Sequence, residues 1–474
     1  MLTGATGAMG FETLKEFSTR LDRFDLRLIV RPSKKNKKKL ADFLKLEGVT
    51  VIWGDLMNPG DVREALKGAD YVIHMGGMVS PLADHFPEKT LKVNVGAMQN
   101  IIDAVKESGL SDKIKVVYIG SVAQTSNRNP PYHWGRTGDP ILPAKFDYYG
   151  LSKIKAERLL AESGLRYWVS LRQTGILHKG LVNKATDPIS FHVPLKGVLE
   201  WATVEDSARL MANICEEGVP DDFWRSFYNI GSGEQFRLTN YEFEKKLMAA
   251  LGCPPPEKVF ERNWFATRNF HGQWYEDSDL LENLVPFREN ITADAYFSRL
   301  ASRMPWWTRL APLAPAFIIK AFMKTVAHTK HLGTLYWKER TDYEERSKAF
   351  FGNREKWNTI EKWDTFDSSR PSEVPVRLSH GYDESKAESE LDIRDMNDAA
   401  EFRGGKCLSE TMVKGDLQSR LEWECAEGHK FESAPLTILK GGHWCPECLT
   451  ADRNYENQAR KNKFLAQLLS DFID

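Results

Sequence analysis

The sequence is poor in cysteine, has no long apolar run, and its charges nearly cancel. Six cysteines in 474 residues are too few for a fold held together by disulfides. No stretch reaches the ~18 apolar residues that a bilayer span needs, and the first residues, MLTGATGAMG, lack the basic and apolar regions of a secretory signal. Lys and Arg number 65 against 66 Asp and Glu, so the overall charge does not favour nucleic acid as a partner. We expect a cytoplasmic protein.

The first half of the chain alternates short β-rich runs with helical patterns. This alternation is typical of βαβ units, and it predicts an α/β fold with a doubly wound parallel sheet of the Rossmann type. The predicted strands are 26–30, 49–53, 71–75, 114–119 and 167–173, and the predicted helices between them are 10–20, 61–67, 95–107 and 151–163.

A glycine-rich turn opens the chain and leads into the first helical pattern. Glycines at positions 4, 7 and 10 would let the backbone turn tightly and approach a pyrophosphate at a helix N-terminus, although glycine-rich turns without a ligand are common. Only Met1 and Leu2 precede Thr3, whereas a strand usually has ~5 residues. We therefore expect a very short first strand or a true start further upstream.

The end of the second predicted strand indicates which dinucleotide would bind. An acidic residue there would bind the ribose hydroxyls of NAD, whereas an arginine accommodates the phosphate of NADP. Arg31 stands at this position and a lysine run follows it. We predict NADP, with NAD as the alternative. Asp55, after the third predicted strand, is placed to bind the adenine amino group.

Three residues form a candidate catalytic set. Tyr149 and Lys153 are four residues apart and share a helix face. An ammonium beside a phenol favours the phenolate, so Lys153 would lower the pKa of Tyr149 and let it exchange a proton with a carbonyl or an alcohol. Ser121 follows a predicted strand, at the edge of the sheet where such folds bind ligands. Each signal alone occurs by chance, but their combination with the glycine turn favours catalysis.

With these motifs the chain resembles the extended (atypical) short-chain dehydrogenase/reductase family, whose members include NAD-dependent epimerases and dehydratases. The resemblance covers residues 1 to about 250 and rests on TGATGAMG, GDL at 54–56, VIHMGG at 72–77, NVGAMQN at 94–100, YGLSK at 149–153, LRQTG at 171–175, TVEDSA at 203–208 and YNIGSG at 228–233. It implies that Ser121, Tyr149 and Lys153 are catalytic, with Tyr149 as general acid and base. The cofactor-binding residues that it implies, besides Arg31, Tyr149 and Lys153, are Gly4, Gly7, Ala8, Met9, Gly10, Asp55, Leu56, Met75, Gly76, Gly77, Asn94, Gln173, Thr174 and Ile176.

We divide the chain into four parts. Residues 1–235 would form the NADP-binding Rossmann domain, 236–345 a helical substrate cap with an amphipathic segment, 346–402 a linker, and 403–474 a zinc-binding module with a C-terminal helix. Within 305–340, a helical projection places Lys320, Lys324, His328 and His331 on one face and Ile318, Ile319, Phe322, Met323 and Val326 on the other, after Trp306 and Trp307. A basic amphipathic helix can lie on a membrane surface, although an ordinary packed helix has the same pattern.

Four cysteines after residue 400 predict a structural zinc site. Cys445 and Cys448 have the Cys-x-x-Cys spacing that places two thiolates on one zinc, and Cys407 and Cys425 would complete the set. The segment resembles a treble-clef or zinc-ribbon module. His429 could replace one cysteine. We expect the module to stabilise the protein or to bind a partner.

The sequence favours an NADP-dependent oxidoreductase that interconverts a carbonyl and an alcohol on a hydrophobic, lipid- or sterol-like substrate. Two alternatives stay open, a nucleotide-sugar epimerase or dehydratase and a redox sensor that binds a dinucleotide. Leu199 lies near the position where nucleotide-sugar enzymes commonly have an arginine, and this counts against the first alternative. Beyond its small-molecule substrate, the partners we consider are a membrane surface, through 305–340, and a second copy in a homodimer.

Overall fold

The computed structural model describes residues 1–80, 82–181, 187–304, 314–360, 362–449 and 455–469. Its strands, in chain order, are β1 Leu2–Thr3, β2 Leu26–Val30, β3 Val49–Trp53, β4 Tyr71–His74, β5 Lys115–Ser121, β6 Trp134–Gly135, β7 Tyr167–Gln173, β8 Ile176–Leu177, β9 Val198–Glu200, β10 Ala202–Thr203, β11 Ser226–Ile230, β12 Arg237–Thr239, β13 Trp274–Tyr275, β14 Lys406–Cys407, β15 Leu421–Glu424 and β16 Lys430–Ser433.

A parallel sheet of seven strands organises the first half of the chain, in the order β11-β7-β5-β4-β1-β2-β3. Strand β1 pairs with β2 on one side and with β4 on the other, so the strand order reverses between β1 and β4. Open α/β sheets bind ligands at such a reversal, outside the carboxyl ends of the strands. The predicted fold class is confirmed, and β1 has only two residues.

Helices cover both faces of this sheet. The helices are α1 Ala8–Ser18, α2 Lys34–Leu40, α3 Pro59–Leu66, α4 Leu82–His85, α5 Pro87–Glu107, α6 Tyr148–Ala161, α7 Val204–Asn213, α8 Asn240–Ala250, α9 Pro256–Val259, α10 Ser278–Leu284, α11 Ala293–Ser302, α12 Ala316–Ala327, α13 Thr334–Lys338, α14 Glu344–Phe351, α15 Arg354–Asn358, α16 Ile393–Phe402, α17 Pro435–Leu439, α18 Tyr455–Ala459 and α19 Lys463–Leu469. Alternate residues of β5 explain the two layers: Val116 and Tyr118 pack in the core with α5 and α6, and Val117 and Ile119 pack in the core with α1 and α7.

Local signals fix where α6 begins, and this sets the register of the residues it carries. Asp147 caps the helix, because its side chain accepts a hydrogen bond of 2.6 Å from the Gly150 amide. The helix runs from Tyr148 to Ala161, three residues earlier at its start than the sequence predicts. Tyr149 and Lys153 therefore both lie in its first two turns.

Residues 346–402, predicted as a linker, contain packed structure in the part that the structure describes. Phe350, Phe351 and Trp357 are buried with Trp337 in one cluster, and the Trp357 indole donates a hydrogen bond of 2.8 Å to the Asn263 carbonyl. Aromatic side chains drive this packing, which a charge-rich composition conceals.

The C-terminal part packs against the sheet layer that contains α6. Leu436, Ile438 and Leu439 of α17, Trp423 of β15 and Met396 of α16 share one apolar core with Tyr118 and Trp168 of the sheet. In the part of the chain that the structure describes, none of the helices combines the length and apolar composition needed to cross a bilayer.

Candidate active site

A cavity of about 1300 Å³ opens at the carboxyl edge of the sheet, where the strand order reverses. It has two halves. The glycine turn and the ends of β2, β3 and β4 line one half, and residues of 189–201, of α8 and of 270–272 line the other. Ser121, Tyr149 and Lys153 line the same cavity.

The glycine turn forms a cradle that side chains would fill. Gly4 has φ +74°, and a Cβ there would lie 2.8 Å from the Gly76 amide nitrogen. A Cβ on Gly10 would lie 2.2 Å from the Gly4 carbonyl oxygen. Both positions therefore require glycine, and the backbone they form leads directly into α1, whose first amide groups can bind an anion.

The end of β4 is tied to the same cradle. The Thr3 hydroxyl accepts hydrogen bonds from the amides of Met75 at 3.1 Å and Gly76 at 3.0 Å. On the far side of the cavity the Gln173 side-chain oxygen is buried with no described hydrogen-bond partner. A buried acceptor of this kind can take a hydrogen bond from a ligand, and the carboxamide of a nicotinamide has a suitable donor. The cradle and this acceptor both fit a dinucleotide.

Most of the other predicted cofactor residues also line the cavity: Gly7, Ala8, Met9, Arg31, Asp55, Leu56, Gly77, Thr174 and Ile176. Arg31 is exposed at the end of β2. The side chain of Asp55 accepts a hydrogen bond of 2.9 Å from the Met57 amide, which holds the turn after β3.

Asn94 is the exception among the predicted cofactor residues. It is 4% exposed and does not line the cavity. Its amide group bonds both backbone groups of Met78 and, at 2.8 Å, the Ser152 hydroxyl. The structure thus corrects its role: Asn94 fastens the loop after β4 to α6, because its donors and acceptor are used within the protein.

The three predicted catalytic residues come together at the meeting point of the two halves. The Tyr149 phenol and the Ser121 hydroxyl interact, and both residues line the cavity. The Lys153 ammonium lies 5.7 Å from the centre of the Tyr149 ring and donates a hydrogen bond of 2.7 Å to the Ile119 carbonyl. Ser121 also accepts a bond from the Ala123 amide, which orients its hydroxyl at the end of β5.

In the protein without a bound cofactor, the pKa of Tyr149 is not lowered by Lys153 as the sequence predicts. Burial raises the pKa of Tyr149 to about 12; the interaction with the Ser121 hydroxyl lowers it and the charge of Asp147 raises it. Burial also lowers the pKa of Lys153 to about 8, against the raising effect of Glu157. Desolvation outweighs the attraction because the ammonium is bonded to a backbone carbonyl rather than to the phenol.

The second half of the cavity is mostly apolar, and of its residues only Leu199 was indicated by the sequence. Its apolar lining includes Val193, Pro194, Val198, Leu199, Trp201, Phe243, Leu247 and Phe270, and its polar residues include Asn127, Arg128, Asn240, Glu244 and His271. Arg128 is ion-paired with Asp139 at 2.7 Å. The spacing of 240, 243, 244 and 247 on one helix face is the one signal that could have indicated them.

A second cluster of functional side chains lies in the C-terminal module. Ligand atoms of Cys425, His429, Cys445 and Cys448 lie within 4.8 Å of one another. The His429 Nδ1 is 3.4 Å from the sulfur of Cys425, 3.6 Å from that of Cys445 and 3.3 Å from that of Cys448. A tetrahedral zinc with these ligands needs separations of about 3.5–3.8 Å, so the cluster fits the ion.

The predicted ligand set is corrected at one position. Cys407 lies on β14 opposite Trp423, and its sulfur is near the Ser409 carbonyl oxygen. The described cluster contains His429 in its place. The chain turns at Gly428, which has φ +81°, and this turn brings His429 beside Cys425. The spacing between the cysteines gives no indication of this contact.

The metal cluster is connected to the helix that carries Tyr149. Glu157 lies one turn after Lys153 and is fully buried. It accepts bonds from Arg172 at 2.7 Å and from the His443 ring at 2.9 Å, and His443 precedes Cys445 by two residues. Burial would raise the pKa of Glu157, but Arg172 and the bond from His443 lower it overall, so the carboxylate is ionised.

Comparisons with known proteins agree with this geometry. Residues 4–191 match the family model described as NAD(P)H-binding. The 3 beta-hydroxysteroid dehydrogenase type 7 of Mus musculus is 32% identical over 142 residues, which are 28% of this chain and 38% of the relative. The 2-alkyl-3-oxoalkanoate reductase of Shewanella oneidensis is 28% identical over 129 residues, 26% of this chain and 30% of the relative. The chain thus spans well under half the length of these relatives.

Among solved structures, the dTDP-glucose 4,6-dehydratase from Streptomyces venezuelae, with NAD and DAU bound, superposes with a TM-score of 0.50 and 18% identity. The match covers 64% of this chain and 95% of that one. Residues 4–191 therefore form an NAD(P)H-binding domain, and the resemblance to extended short-chain dehydrogenases/reductases is confirmed at the level of the fold.

Proposed function

We propose that this protein is an NADP-dependent oxidoreductase that interconverts a carbonyl and an alcohol on a hydrophobic substrate. One observation carries the proposal: Ser121, Tyr149 and Lys153 lie together where a dinucleotide cradle meets an apolar cavity. A bound nicotinamide would supply or accept the hydride. The relatives named as a hydroxysteroid dehydrogenase and an oxoalkanoate reductase support a substrate of this class.

In this proposal Ser121 and Tyr149 bind the substrate oxygen. Tyr149 gives its proton to a carbonyl oxygen during reduction and takes it back from the alcohol during oxidation. Lys153 holds the ribose of the cofactor and keeps a positive charge beside the phenol. Because the phenol of the free protein has a pKa of about 12, it is protonated at neutral pH and prepared for reduction.

Two further parts of the proposal concern the cofactor phosphate and the metal. Arg31, exposed at the cavity wall, would bind the 2′-phosphate of NADP. A structural zinc would be held by Cys425, His429, Cys445 and Cys448, and it would fix the loop that presents His443 to Glu157.

We also propose a membrane contact through α12. Its Met323 and Val326 are buried against the protein. By contrast, Phe317, Ile318 and Phe322 are 71%, 50% and 53% exposed, so a second apolar face of the helix is open to solvent. Lys324 is exposed on the same helix. Trp306 and Trp307 of the predicted segment lie outside the described residues. An open apolar face of this kind would place the protein on a bilayer from which a lipid substrate could be drawn.

The proposal is tested by comparing native protein with Tyr149→Phe in an assay with NADPH and a panel of lipid and sterol ketones. Native protein should oxidise NADPH stoichiometrically with product, and Tyr149→Phe should lose at least ~100-fold in kcat while binding NADPH with unchanged Kd. Tyr148→Phe is the matched control and should remain active. Turnover with no net change in nicotinamide absorbance would instead favour an epimerase or dehydratase.

A further inference from the structure

A buried carboxyl group, for which the described residues offer no partner, lies in the apolar half of the cavity. Helix α8 lines the cavity with Asn240, Phe243, Glu244 and Leu247, which are spaced as one helix face. Glu244 is 8% exposed. Among the described residues, none donates a hydrogen bond to its carboxyl group or forms an ion pair with it.

The other three charged residues of α8 differ from Glu244 in this respect, because two form ion pairs and the third, Lys245, is exposed with its ammonium over the Tyr241 ring. Glu242 caps the helix and pairs with Arg370 at 2.8 Å. Lys246 pairs with Asp294. These side chains are on the outer faces of the helix, where they have both partners and solvent, so the isolation of Glu244 is specific to the face that lines the cavity.

The surroundings of Glu244 are apolar. Phe243 stacks on Trp201 with ring centres 4.4 Å apart, and Leu247 and Met248 are buried on the next turn. Burial by itself raises the pKa of Glu244 to about 7. Burying a carboxyl without a partner destabilises a protein, and a residue retained at such a cost is a candidate for ligand binding.

We propose that Glu244 binds a hydroxyl group that the apolar substrate carries away from its reacting carbon. This inference rests on the proposed oxidoreductase function and specifies its substrate as an apolar skeleton with two oxygen functions. One is a carbonyl or alcohol held by Ser121 and Tyr149, and the other is a hydroxyl that donates to the Glu244 carboxylate or accepts from its protonated form. The apolar walls of the cavity contact the skeleton between them.

The test uses two ketone probes with the same alicyclic skeleton, one with a distal hydroxyl group and one without it. Calorimetry measures the Kd of each for the NADP complex of native protein, Glu244→Gln and Glu244→Leu, and the nicotinamide absorbance measures kcat and KM. Native protein should favour the hydroxylated probe at least about tenfold in Kd and kcat/KM. Glu244→Gln should keep most of this preference, and Glu244→Leu should lose or reverse it, chiefly through KM.

Stability provides an independent readout. Because Leu fills the same space without a buried carboxyl, Glu244→Leu should have a Tm equal to or above that of native protein. A lower Tm would show that Glu244 serves the fold, and equal Kd values of the two probes for native protein and Glu244→Leu would overturn the proposal. A stronger preference for a probe with a distal amine would overturn the assignment of a hydroxyl. Probe binding without any change in nicotinamide absorbance would contradict the oxidoreductase function and leave the Kd comparison to decide the role of Glu244.

Discussion

At the scale of single residues, the cofactor half of the cavity depends on positions where no side chain fits. Gly4 combines a positive φ with a neighbouring backbone at 2.8 Å from a Cβ. Gly68 has a similar φ of +70° but nothing within 4 Å of a Cβ. A comparison of substitutions at these two glycines therefore distinguishes the effect of backbone strain from the effect of a steric clash.

We expect Gly4→Ala to weaken dinucleotide binding at least tenfold and to lower the Tm, because the loop must move away from Gly76. Gly68→Ala should cost only the ~1 kcal/mol of left-handed strain and leave the Kd for NADPH unchanged. Fluorescence titration and thermal unfolding measure the two effects. Equal Kd values for both variants would contradict the predicted cradle.

We expect a single residue, Arg31, to decide the preference for NADP over NAD. Arg31→Asp should reverse the preference by repelling the 2′-phosphate and accepting the ribose hydroxyls, with a change of at least tenfold in the ratio of the two Kd values. Lys38→Asp makes the same charge change on α2 at an exposed position that does not line the cavity. It should leave the ratio unchanged; a similar shift in both variants would indicate a general charge effect instead.

At the scale of elements, α6 contacts both the cavity and the metal cluster. Its first turns carry Tyr149 and Lys153, and its later turns carry Glu157, which His443 and Arg172 hold, and Arg158, which bonds the Trp444 carbonyl. A displacement of the loop 441–448 would therefore be transmitted to the catalytic end of one rigid helix.

His443→Ala should lower stability by about 1–3 kcal/mol, because it removes a buried hydrogen bond to an ionised carboxylate, and it should lower kcat. A chelator that removes zinc should have a similar effect, and the two changes together should be less than additive because they act on one loop. Lys461→Ala removes an exposed ion pair of the same module and should change stability by less than about 1 kcal/mol. An unchanged Tm after zinc removal would contradict the proposed coupling between the metal cluster and α6.

Helix α12 has an exposed apolar face of Phe317, Ile318 and Phe322, which the proposed membrane contact uses. The double variant Phe317→Ser, Phe322→Ser should reduce co-flotation with vesicles of phosphatidylcholine and phosphatidylserine several-fold. Leu280→Ser removes an equally exposed leucine, 54% accessible, from α10 and should not affect flotation. If native protein does not float with vesicles at all, the membrane contact is refuted.

At the scale of the whole molecule, a buried ionic network joins segments that are distant in sequence. Asp139 pairs with Arg128 at 2.7 Å and with His380 at 2.9 Å, and two residues further on the Ile141 amide bonds the Gly442 carbonyl. The network thus connects the wall of the cavity, the segment after α15 and the C-terminal module.

Acid should loosen this connection. Burial raises the pKa of Asp139, but Arg128 and His380 outweigh it and lower the pKa from 3.8 to about 2. A lowered folded-state pKa means that the stabilisation, about 2 kcal/mol, is complete above the unfolded pKa and is lost as the pH falls from about 4 to 2. Asp139→Asn should therefore be less stable at neutral pH, and its Tm should fall less steeply with pH in that range. Asp42→Asn, at a 92% exposed side chain, is the control. Parallel Tm curves for native protein and Asp139→Asn would disprove the linkage.

The sequence by itself determined the order of strands and helices, the glycine cradle and the residue types of the catalytic set. Strands β2, β3 and β7 have the predicted bounds, because apolar period and turn residues are local properties of the chain. Gly4 and Gly10 were predictable because a tight turn that leads into a helix leaves no room for side chains at these positions.

Only the tertiary structure decided which side chains meet. His429 rather than Cys407 joins the metal cluster, Asn94 is used within the protein, and Glu244 faces an apolar cavity with no partner among the residues that the structure describes. The direction of the pKa shift of Tyr149 also depended on the fold, since burial and the Ile119 carbonyl decide where the charge of Lys153 acts. Such contacts join residues that are far apart in the chain, and their energies depend on desolvation, which has no local signature in the sequence.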